Sequence, residues 1–542
     1  MKNILLIYPQ LPRSFWSFPE IIRLSGKKSM MPPAGLLTLA SLMPESWSPR
    51  LVDCNVRPIR EDDWKWADLV MVSAMLVQRE EMLDIVAEAK KRGKTVVVGG
   101  PYPTSSPEEA FAAGCDFVVG GEGEYALPLL AKALENGGTG TVICAEAKTD
   151  MADVPVPRFD LIDLGDYDAM PVQTSRGCPF ACEFCDVINL FGRLPRYKPV
   201  ERIMEELRAV YEAGHRGTIF FTDDNFIGNP DRAREILLAL IPWQKEHGEP
   251  FSFYTQASVN LGEKVDLIDL MTEANFSFVF IGIESPETDV LAGADKHQNT
   301  RHPLLESIST IHKNGLSVIG SFILGFDNET AGAGKRIEAF IEAANLAPVM
   351  INTLQAVPKT RLWDRLKAEG RMLEGTQGDM ATGVMNFTPT RPLKEILTEQ
   401  IEAWENLYEP SRFMARSLRY TLEMRPTRGA SNPDNKHKTL VQFSSPTEKG
   451  NNLGQFRILF LLIWHYGLKS RHRGQFWRQM VTLCRKNPSR WRRYLSMLAM
   501  GYSIGSFIEV IKERAAPALR QSAGPAGHRE CPGALKEVNR AS

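Results

Sequence analysis

The stretch Arg176-Gly-Cys-Pro-Phe-Ala-Cys-Glu-Phe-Cys-Asp186 carries three cysteines within eight residues. It directly follows the apolar run Val172 to Ser175, which reads as a buried strand. Three thiols on one loop can surround a small metal centre, and eight cysteines in 542 residues are too sparse for a disulfide scaffold. The sequence therefore predicts a metal-binding loop in a protein of a reducing compartment, the cytoplasm.

Five further apolar runs follow the cysteine loop, at intervals that each leave room for a helix. They are Thr218 to Thr222, Phe251 to Ala257, Phe278 to Ile283, Ser317 to Leu324 and Met350 to Gln355. Six strand–helix units in series predict a partial (β/α)6 version of the TIM-type barrel, whose chemistry lies at the carboxyl ends of its strands. The cysteine loop occupies such an end.

Upstream of the barrel, short β-branched runs alternate with helical segments. The runs are Ile4 to Tyr8, Arg50 to Asp53, Leu69 to Ser73, Thr95 to Gly99 and Phe117 to Val119. This pattern indicates a doubly wound, Rossmann-like parallel sheet, whose ligands bind beyond the carboxyl ends of the strands. The candidate binding loops are therefore Pro9 to Pro33, Ala74 to Arg79, Gly99 to Ser106 and Gly120 to Glu124. An αβ domain with glycine-rich turns and no ligand is the alternative.

These signals divide the chain into five parts. We predict a Rossmann-like domain over 1–145, a linker over 146–170, the barrel over 171–390, a mainly helical region over 391–515 and a disordered tail over 516–542. The formal net charge of -1 creates no global field that would attract nucleic acid. The chain also lacks a dedicated RNA-binding module, so we expect no nucleic-acid partner.

The cysteine loop resembles the signature of the radical S-adenosylmethionine (SAM) family. Thiolates bind iron–sulfur clusters, and three protein ligands leave one iron of a four-iron cluster free. The resemblance implies that Cys178, Cys182 and Cys185 are both metal ligands and catalytic residues, holding a [4Fe–4S] cluster whose free iron binds SAM. A structural zinc site is the alternative, but such sites normally have a fourth protein ligand.

Further resemblances to this family lie at the ends of later predicted strands. The place where the family recognises the methionine amine is taken by Asp223, Asp224 and Asn225. Glu284 is similar to the ribose-contacting position. Gly325 lies in Ile323-Leu-Gly-Phe-Asp-Asn-Glu329, which resembles the adenine-side motif, although its glutamate is displaced by one residue. Each carboxylate taken alone could equally be a helix cap.

The N-terminal domain is similar to the cobalamin-binding domain that precedes many radical enzymes. The likeness rests on Met31-Pro-Pro-Ala-Gly-Leu-Leu-Thr-Leu-Ala40 and on the Gly99-Gly-Pro turn. It implies cobalamin contacts from Met75, Gln78, Gly99, Gly100, Thr104, Gly120 and Glu122. All nine histidines lie at His215 or beyond, so this domain supplies no imidazole and cobalamin would be bound histidine-off.

The chain is thereby identified as a member of the cobalamin-binding radical SAM methyltransferases, over about residues 1–420. It resembles the subgroup of hopanoid methylases and bacteriochlorophyllide side-chain methyltransferases in three short motifs, Asp224-Asn-Phe-Ile-Gly-Asn229, Gln298-Asn-Thr300 and Leu354-Gln-Ala356. The resemblance implies methylation of an unactivated carbon in an apolar small molecule, a hopanoid-type lipid or a (bacterio)chlorophyll-type tetrapyrrole.

The resemblance also implies an external low-potential electron donor, such as flavodoxin or ferredoxin. Two other functions stay open. A radical oxidative cyclase of a porphyrin ring would use the same cofactors without methyl transfer, and a cobalamin or redox sensor would not be catalytic.

The C-terminal region contains a basic segment. Between Lys469 and Arg493 there are nine lysines and arginines and no acidic residue, flanked by apolar stretches over 458–466 and 494–508. Basic residues mixed with tryptophan beside apolar helices are typical of segments that lie on anionic lipid. We therefore predict peripheral contact with the inner face of the cytoplasmic membrane through residues 455–510, with a solvated helix packed on the barrel as the alternative.

Overall fold

Two six-stranded, wholly parallel sheets form the centre of the computed structural model, which describes residues 2–373, 384–428 and 452–521. The N-terminal part of the chain builds one sheet and the middle part builds the other. Helices cover both, and the C-terminal helices pack beside the second sheet. The predicted α/β class with a helical C-terminal region is confirmed.

The first sheet has the strand order β2-β1-β3-β4-β5-β6. Its strands are β1 (Lys2–Tyr8), β2 (Trp47–Asp53), β3 (Leu69–Ser73), β4 (Thr95–Gly99), β5 (Phe117–Gly120) and β6 (Thr141–Cys144). Residues 4–7 of β1 are fully buried, as expected for an inner strand of a sheet covered on both faces. The sequence prediction missed β6 because this edge strand is largely exposed and carries no buried apolar run.

Seven helices connect the strands of the first sheet or lead into them. They are α1 (Pro19–Leu24), α2 (Ala34–Ser41), α3 (Glu61–Trp66), α4 (Arg79–Lys91), α5 (Pro101–Ser105), α6 (Pro107–Ala112) and α7 (Gly123–Glu135). The doubly wound arrangement predicted for this part is therefore confirmed.

The second sheet follows the chain in the order β7-β10-β11-β12-β13-β14. Its strands are β7 (Ala169–Val172), β10 (Gly217–Phe221), β11 (Phe251–Gln256), β12 (Phe276–Glu284), β13 (Ser317–Leu324) and β14 (Val349–Thr353). Its helices are α8 (Val187–Leu190), α9 (Val200–Glu212), α10 (Pro230–Glu246), α11 (Val265–Glu273), α12 (Thr288–Gly293), α13 (Leu304–Lys313), α14 (Ala333–Ala343) and α15 (Arg361–Ala368). Sequential parallel strands joined by helices form the predicted partial barrel.

The first barrel strand ends at Val172, earlier than predicted. Ser175–Arg176 forms the separate strand β8, which pairs antiparallel with β9 (Arg196–Tyr197). The cause lies in Asp223, whose carboxylate accepts hydrogen bonds from the backbone nitrogens of Thr174 and Ser175 and so takes this stretch out of the sheet ladder.

The C-terminal region is helical, as predicted. It comprises α16 (Leu393–Tyr408), α17 (Pro410–Glu423), α18 (Asn452–Leu462), a π-helix (Ile463–Lys469), α19 (Arg473–Lys486) and α20 (Trp491–Gln521). Because α20 reaches Gln521, the predicted tail cannot begin at 516, and its remaining residues 522–542 lie outside the described ones. The sequence over 425–455 is polar and contains prolines, which predicts a loop-rich stretch, and most of it also lies outside the described residues.

The stretch Pro488–Arg520 is long and apolar enough to cross a membrane by length and composition alone. However, 61% of its most apolar window is buried within the protein, as in the core helix of a globular protein. Helix α20 packs against α16 and α17, so its burial has a structural explanation.

Residues 9–33, which we call the strap, leave the first sheet and cross to the rest of the molecule. Trp16 packs edge-on against Phe280 of β12, with 5.2 Å between ring centroids. Further along, the carboxylate of Glu20 accepts hydrogen bonds of 2.8 Å from Ser503 and Ser506 of α20. The strap thus joins both sheets and the last helix.

Candidate functional site

The carboxyl-end loops of the two sheets contact each other directly. Arg176, just before the cysteine loop, donates to Glu122 after β5 at 2.9 Å and also pairs with Glu124. Lys359, after β14, donates through Nζ to the carbonyl of Thr104 at 2.8 Å. These contacts bring the predicted ligand edges of both sheets to one place.

The cysteine loop begins with a glycine that the geometry requires. Gly177 has a φ of 97°, and a Cβ there would lie 2.9 Å from the carbonyl oxygen of Gly192. The backbone nitrogen of Gly177 donates to Oδ2 of Asp224 at 3.0 Å. The backbone leading into Cys178 is therefore held between the loop over 191–194 and an acidic residue after β10.

The three cysteines carry free thiols that lie close enough to interact electrostatically. Burial raises the pKa of Cys178 to about 11 and that of Cys185 to about 12, so binding a metal here must displace protons. Among the described residues, no group of three or more His, Cys, Asp or Glu side chains converges on a single ion. Three thiols on one loop, within electrostatic reach of one another, suit a multi-iron cluster.

The three polar residues predicted to bind SAM also organise the site. Asp223 is fully buried and accepts from the hydroxyls of Thr174 and Ser175 at 2.9 and 2.7 Å. Asn225 bonds Ser258 through both ends of its amide, at 3.1 and 3.2 Å. The side chains of Asp223 and Asn225 therefore form their hydrogen bonds with neighbouring loops.

Asp224 differs from Asp223 because only one of its two carboxylate oxygens accepts a hydrogen bond from a described residue, whereas both oxygens of Asp223 do. One of its oxygens accepts from Gly177, beside Cys178. Burial raises the pKa of this carboxyl to about 6. A half-buried carboxylate next to the cysteine loop suits a cationic ligand group such as the ammonium of SAM.

Glu284 ends β12 with a φ of 66°, a conformation that a non-glycine residue rarely adopts. Its carboxylate pairs with the buried Lys296, whose charge is also felt by the thiols of Cys182 and Cys185. Gly282 leaves room for this pair, since a Cβ there would lie 2.3 Å from Oε1 of Glu284. The predicted ribose-contacting residue is thus held at the cluster side of the barrel.

The structure explains the displaced glutamate after β13. Gly325, with a φ of 100°, donates its backbone N–H to both carboxylate oxygens of Glu329, at 3.1 and 3.2 Å. Glu329 is buried and also pairs with Arg391. The extra residue in this loop therefore lets the glutamate fold back and cap the strand end.

The predicted cobalamin-contacting residues all lie at the carboxyl edge of β3, β4 and β5. Gln78 is buried, donating to the carbonyl of Pro9 at 2.6 Å and accepting from the backbone of Met75 at 2.9 Å. The side chain of Met75 is 38% exposed although it follows a buried strand, so an apolar group stands open at the edge. A corrin ring is the kind of ligand that would cover it.

The glycines at this edge let backbones approach closely. A Cβ on Gly100 would lie 2.8 Å from the hydroxyl of Ser73, and one on Gly120 would lie 2.6 Å from the thiol of Cys144. The hydroxyl of Thr104 links the two loops, donating to the carbonyl of Gly100 at 2.8 Å and accepting from Gly121 at 3.0 Å. Gly99 ends β4 beside them.

Glu122 has a role that its sequence context did not reveal. It is buried and pairs with Arg196 as well as Arg176. Its ion pairs with two arginines of the barrel connect the first domain to the second. Glu122 and Arg176 are 54 residues apart in the chain, so no local sequence pattern could predict their contact.

Gln298 is a second residue whose role the sequence did not reveal. Its Nε2 donates to Sγ of Cys182 at 3.4 Å. The next residue, Asn299, donates to the carbonyls of Gly282 and Ile283, both at 3.0 Å. The only signal was the resemblance of Gln298-Asn-Thr300 to one subgroup, which named no contact.

The face of the second sheet that is turned away from its helices is lined with aromatic rings. Phe220, Tyr254 and Phe278 stack across β10, β11 and β12 with centroid separations of 4.4 and 4.5 Å. The strap covers this face, because Trp16 packs on Phe280 and Met31 contacts the Tyr254 hydroxyl. We call Phe220, Tyr254, Phe278 and Phe280 the aromatic face.

Three family descriptions match successive parts of the chain. Residues 27–131 match a B12 binding domain, residues 172–341 match the radical SAM superfamily, and residues 360–516 match a domain of unknown function.

Two relatives are similar over nearly their whole lengths. An uncharacterized methyltransferase of Synechocystis sp. is 43% identical over 517 residues, covering 95% of this chain and 94% of that protein. The hopanoid C-2 methylase of Rhodopseudomonas palustris is 33% identical over 482 residues, covering 88% of each. Bacteriochlorophyllide d C-12(1)-methyltransferase of Chlorobaculum tepidum is 25% identical and covers 72% of this chain and 85% of that protein.

Solved structures show the same fold. The cobalamin-dependent S-adenosylmethionine radical enzyme OxsB, with aqua-cobalamin bound, matches 96% of this chain and 81% of its own with a TM-score of 0.59 at 16% identity. The radical S-adenosylmethionine methyltransferase TsrM from Kitasatospora setae matches 89% of this chain and 100% of its own with a TM-score of 0.60 at 15% identity.

Proposed function

The chain belongs to the cobalamin-dependent radical SAM methyltransferases, and we propose that it methylates an unactivated carbon of an apolar, polycyclic lipid of the hopanoid type. Its cofactors are a [4Fe–4S] cluster, SAM and cobalamin. When bound, they supply a hydrogen-abstracting radical and a transferable methyl group. The chain's own residues must place these groups and the substrate in one cleft.

The predicted contacts lie at the carboxyl ends of the two sheets, and this supports the following assignment. Cys178, Cys182 and Cys185 would hold the cluster, with Asp224 positioned to accept the ammonium of SAM. The open edge around Met75 would hold cobalamin. The aromatic face lies on the strands whose carboxyl ends carry Asp224 and Glu284, so a substrate packed on it would lie on the same barrel as the cluster ligands.

The main observation that supports a polycyclic lipid as substrate is the aromatic face beside the strap. Its rings present apolar surface, and their faces suit the CH groups of an aliphatic ring system. The strap covers part of this surface and limits its contact with water, while Phe220, Phe278 and Phe280 keep some exposed area for a substrate. Limited access of water protects a reactive intermediate from side reactions. The 33% identity to a hopanoid C-2 methylase favours this lipid class over a tetrapyrrole, whose named relative is 25% identical.

Anaerobic turnover with methyl-labelled SAM tests the proposal. We expect the reconstituted protein to form 5'-deoxyadenosine and to transfer label to a hopanoid but not to a bacteriochlorophyllide. A product that has lost hydrogen without gaining a methylene would instead indicate an oxidative cyclase. The absence of both 5'-deoxyadenosine and labelled product would contradict the whole assignment.

We also propose that the protein takes its lipid from a membrane surface, through an apolar ridge on the C-terminal helices. The ridge consists of Phe456, Phe460, Trp464, Leu468, Trp477 and Val481, which are 45 to 68% exposed. The first four recur every four residues and so share one helix face. Trp477 Nε1 donates to the carbonyl of Gly467 at 2.9 Å, which places the two parts of the ridge side by side.

Charge supports lipid as the partner of the ridge. Lys469, Arg471, Arg473, Arg478 and Arg485 are exposed within or beside it, in a stretch without acidic residues. Exposed aromatic side chains bordered by cations suit the headgroup region of an anionic bilayer. Six of the thirteen large apolar side chains exposed in the described chain lie on this ridge, which a solvated helix does not require.

Vesicle flotation tests the ridge. We expect the full-length protein to float with vesicles that contain phosphatidylglycerol and to float less with pure phosphatidylcholine. The variant Phe460→Ser/Trp464→Ser should stay in the soluble fraction, while Leu238→Ser, at a 55% exposed apolar position on α10, should float like the wild type. Equal flotation of all three proteins would remove the ridge from consideration.

A further inference from the structure

An open depression lies on the outer side of the cysteine loop. It has a volume of about 360 Å³ and is lined by Ala181 of that loop and by Arg193, Asp295, Gln298, Arg301 and Arg361. These residues come from four separate stretches of the chain, which the fold brings together. The depression lies beside the predicted cluster ligands.

The rim of this depression is positively charged. Arg193 and Arg301 are exposed, and neither forms an ion pair within the described parts of the chain. Arg361 pairs with Asp295 at 2.8 Å and donates to the carbonyl of Ala181. With one carboxylate against three guanidinium groups, the surface keeps a net positive charge.

One buried side chain separates the depression from a cluster ligand. Gln298 lines the depression and donates to Sγ of Cys182, while both residues are less than a tenth exposed. Next to Arg193, the side chain of Leu194 is 82% exposed. A small apolar contact bordered by charge is typical of transient docking surfaces, where charge governs encounter.

We propose that this surface, defined by Arg193, Leu194, Arg301 and Arg361, docks an acidic one-electron carrier protein. This inference rests on the proposed function, because only a cluster that must be reduced needs a carrier. One electron leaves the carrier, which is oxidised by one electron, and the cluster held by Cys178, Cys182 and Cys185 gains it. No bond forms or breaks, and no proton moves.

Binding to a purified flavodoxin tests the surface. Arg193→Glu/Arg301→Glu in the full-length, cluster-loaded protein should weaken binding by about tenfold or more at low salt, because two favourable charges become repulsive. Wild-type binding should weaken as salt is raised, and the salt dependence should be smaller in the variant. Arg208→Glu is the matched control, since Arg208 is exposed and unpaired among the described residues and lies near the far end of α9. Equal binding by the double variant and the wild type would overturn the proposal.

The rate of cluster reduction provides a second measurement. Flavodoxin hydroquinone should reduce the cluster of the double variant more slowly than that of the wild type, whereas dithionite, which needs no docking, should reduce both equally. A loss with both reductants would assign the effect to a damaged cluster and contradict docking. The proposed function fails separately, if dithionite-reduced wild-type protein leaves SAM intact.

Discussion

Asp223, Asp224 and Glu284 each hold backbone or a buried lysine in place beside the cysteine loop. Asp223 binds the chain that leads into the loop, Asp224 binds Gly177, and Glu284 pairs with Lys296. Such contacts fix side-chain positions before a ligand arrives, which lowers the entropic cost of binding. The residues predicted for SAM thus have structural partners too, and only a substitution that spares those contacts isolates their binding role.

Asp224→Asn is such a substitution. The amide keeps an oxygen that can accept from Gly177 but loses the negative charge that the ammonium of SAM would meet. We expect cluster iron content to stay unchanged and SAM affinity to fall by about tenfold to a hundredfold, the value of a charged hydrogen bond. Equilibrium binding of SAM to the reconstituted protein measures this, and unchanged affinity would remove Asp224 from the site.

Gln298→Leu tests the hydrogen bond to Cys182. An N–H donated to a ligand sulfur stabilises the added electron of a reduced cluster, so its loss should lower the reduction potential. A redox titration followed by electron paramagnetic resonance measures the shift. Thr300→Ala, on the same loop, should leave the potential unchanged, and an equal shift in both variants would indicate a general loop disturbance instead.

At the level of helices and strands, the sequence predicted most of what the structure contains. Buried strands such as β1 and β13 were recognised because they form continuous apolar runs. The edge strand β6 was missed because it is exposed, and the end of β7 was misplaced because a distant carboxylate, Asp223, redirects the chain. Local patterns report burial well, but they do not report contacts made by residues far apart in the chain.

Helix α13 carries a buried histidine that makes the barrel sensitive to acid. His312 packs against Tyr420 with 4.1 Å between ring centroids, and neither ring nitrogen has a hydrogen-bond partner in the described structure. Burial lowers the pKa of His312 to about 3. In the unfolded chain, His312 therefore becomes protonated below about pH 6.5, whereas in the folded chain it becomes protonated only near pH 3.

We expect stability to fall with decreasing pH across that window, by up to about 1.4 kcal/mol per pH unit from this residue alone. His312→Leu should make the free energy of unfolding less dependent on pH between 6.5 and 4. Urea denaturation at a series of pH values measures it. Ile311→Leu, on the same helix at a buried position without a titratable group, serves as the control and should keep the wild-type slope.

For the whole molecule, the decisive contacts join parts that the sequence presents as separate domains. Arg176 contacts Glu122, 54 residues earlier in the chain, and Lys359 contacts Thr104, 255 residues earlier. The cysteine loop and the glycine-rich edge could each be predicted from local sequence motifs. Their juxtaposition could not, because it depends on how two independently recognisable sheets pack.

The ion pairs that Glu122 forms with Arg176 and Arg196 should weaken in acid. Burial alone would raise the pKa of Glu122, but hydrogen bonds from Arg196 and Arg176 outweigh it and hold the pKa below the ordinary value of 4.5. A lowered carboxyl pKa contributes stability that is present above about pH 4.5 and is lost as pH falls through the folded pKa.

Glu122→Gln should remove this contribution at neutral pH. We expect lower hydrogen-exchange protection factors in residues 174–178 and 190–197 at pH 7, approaching the protection factors that the wild type shows in acid. Glu135→Gln, at the far end of α7, is the control. Exchange that is unchanged by Glu122→Gln would show that the two sheets are held together by other contacts.

The strap has a consequence for biosynthesis. Residues 13 and 20 find their partners at Ser506 and Ser503, so their final contacts cannot form until nearly the whole chain has left the ribosome. The first sheet, built from neighbouring segments, can fold long before then. During that interval the strap is not yet fastened to the last helix, and we expect the folded first sheet to be able to load a bulky macrocycle before the assembly closes.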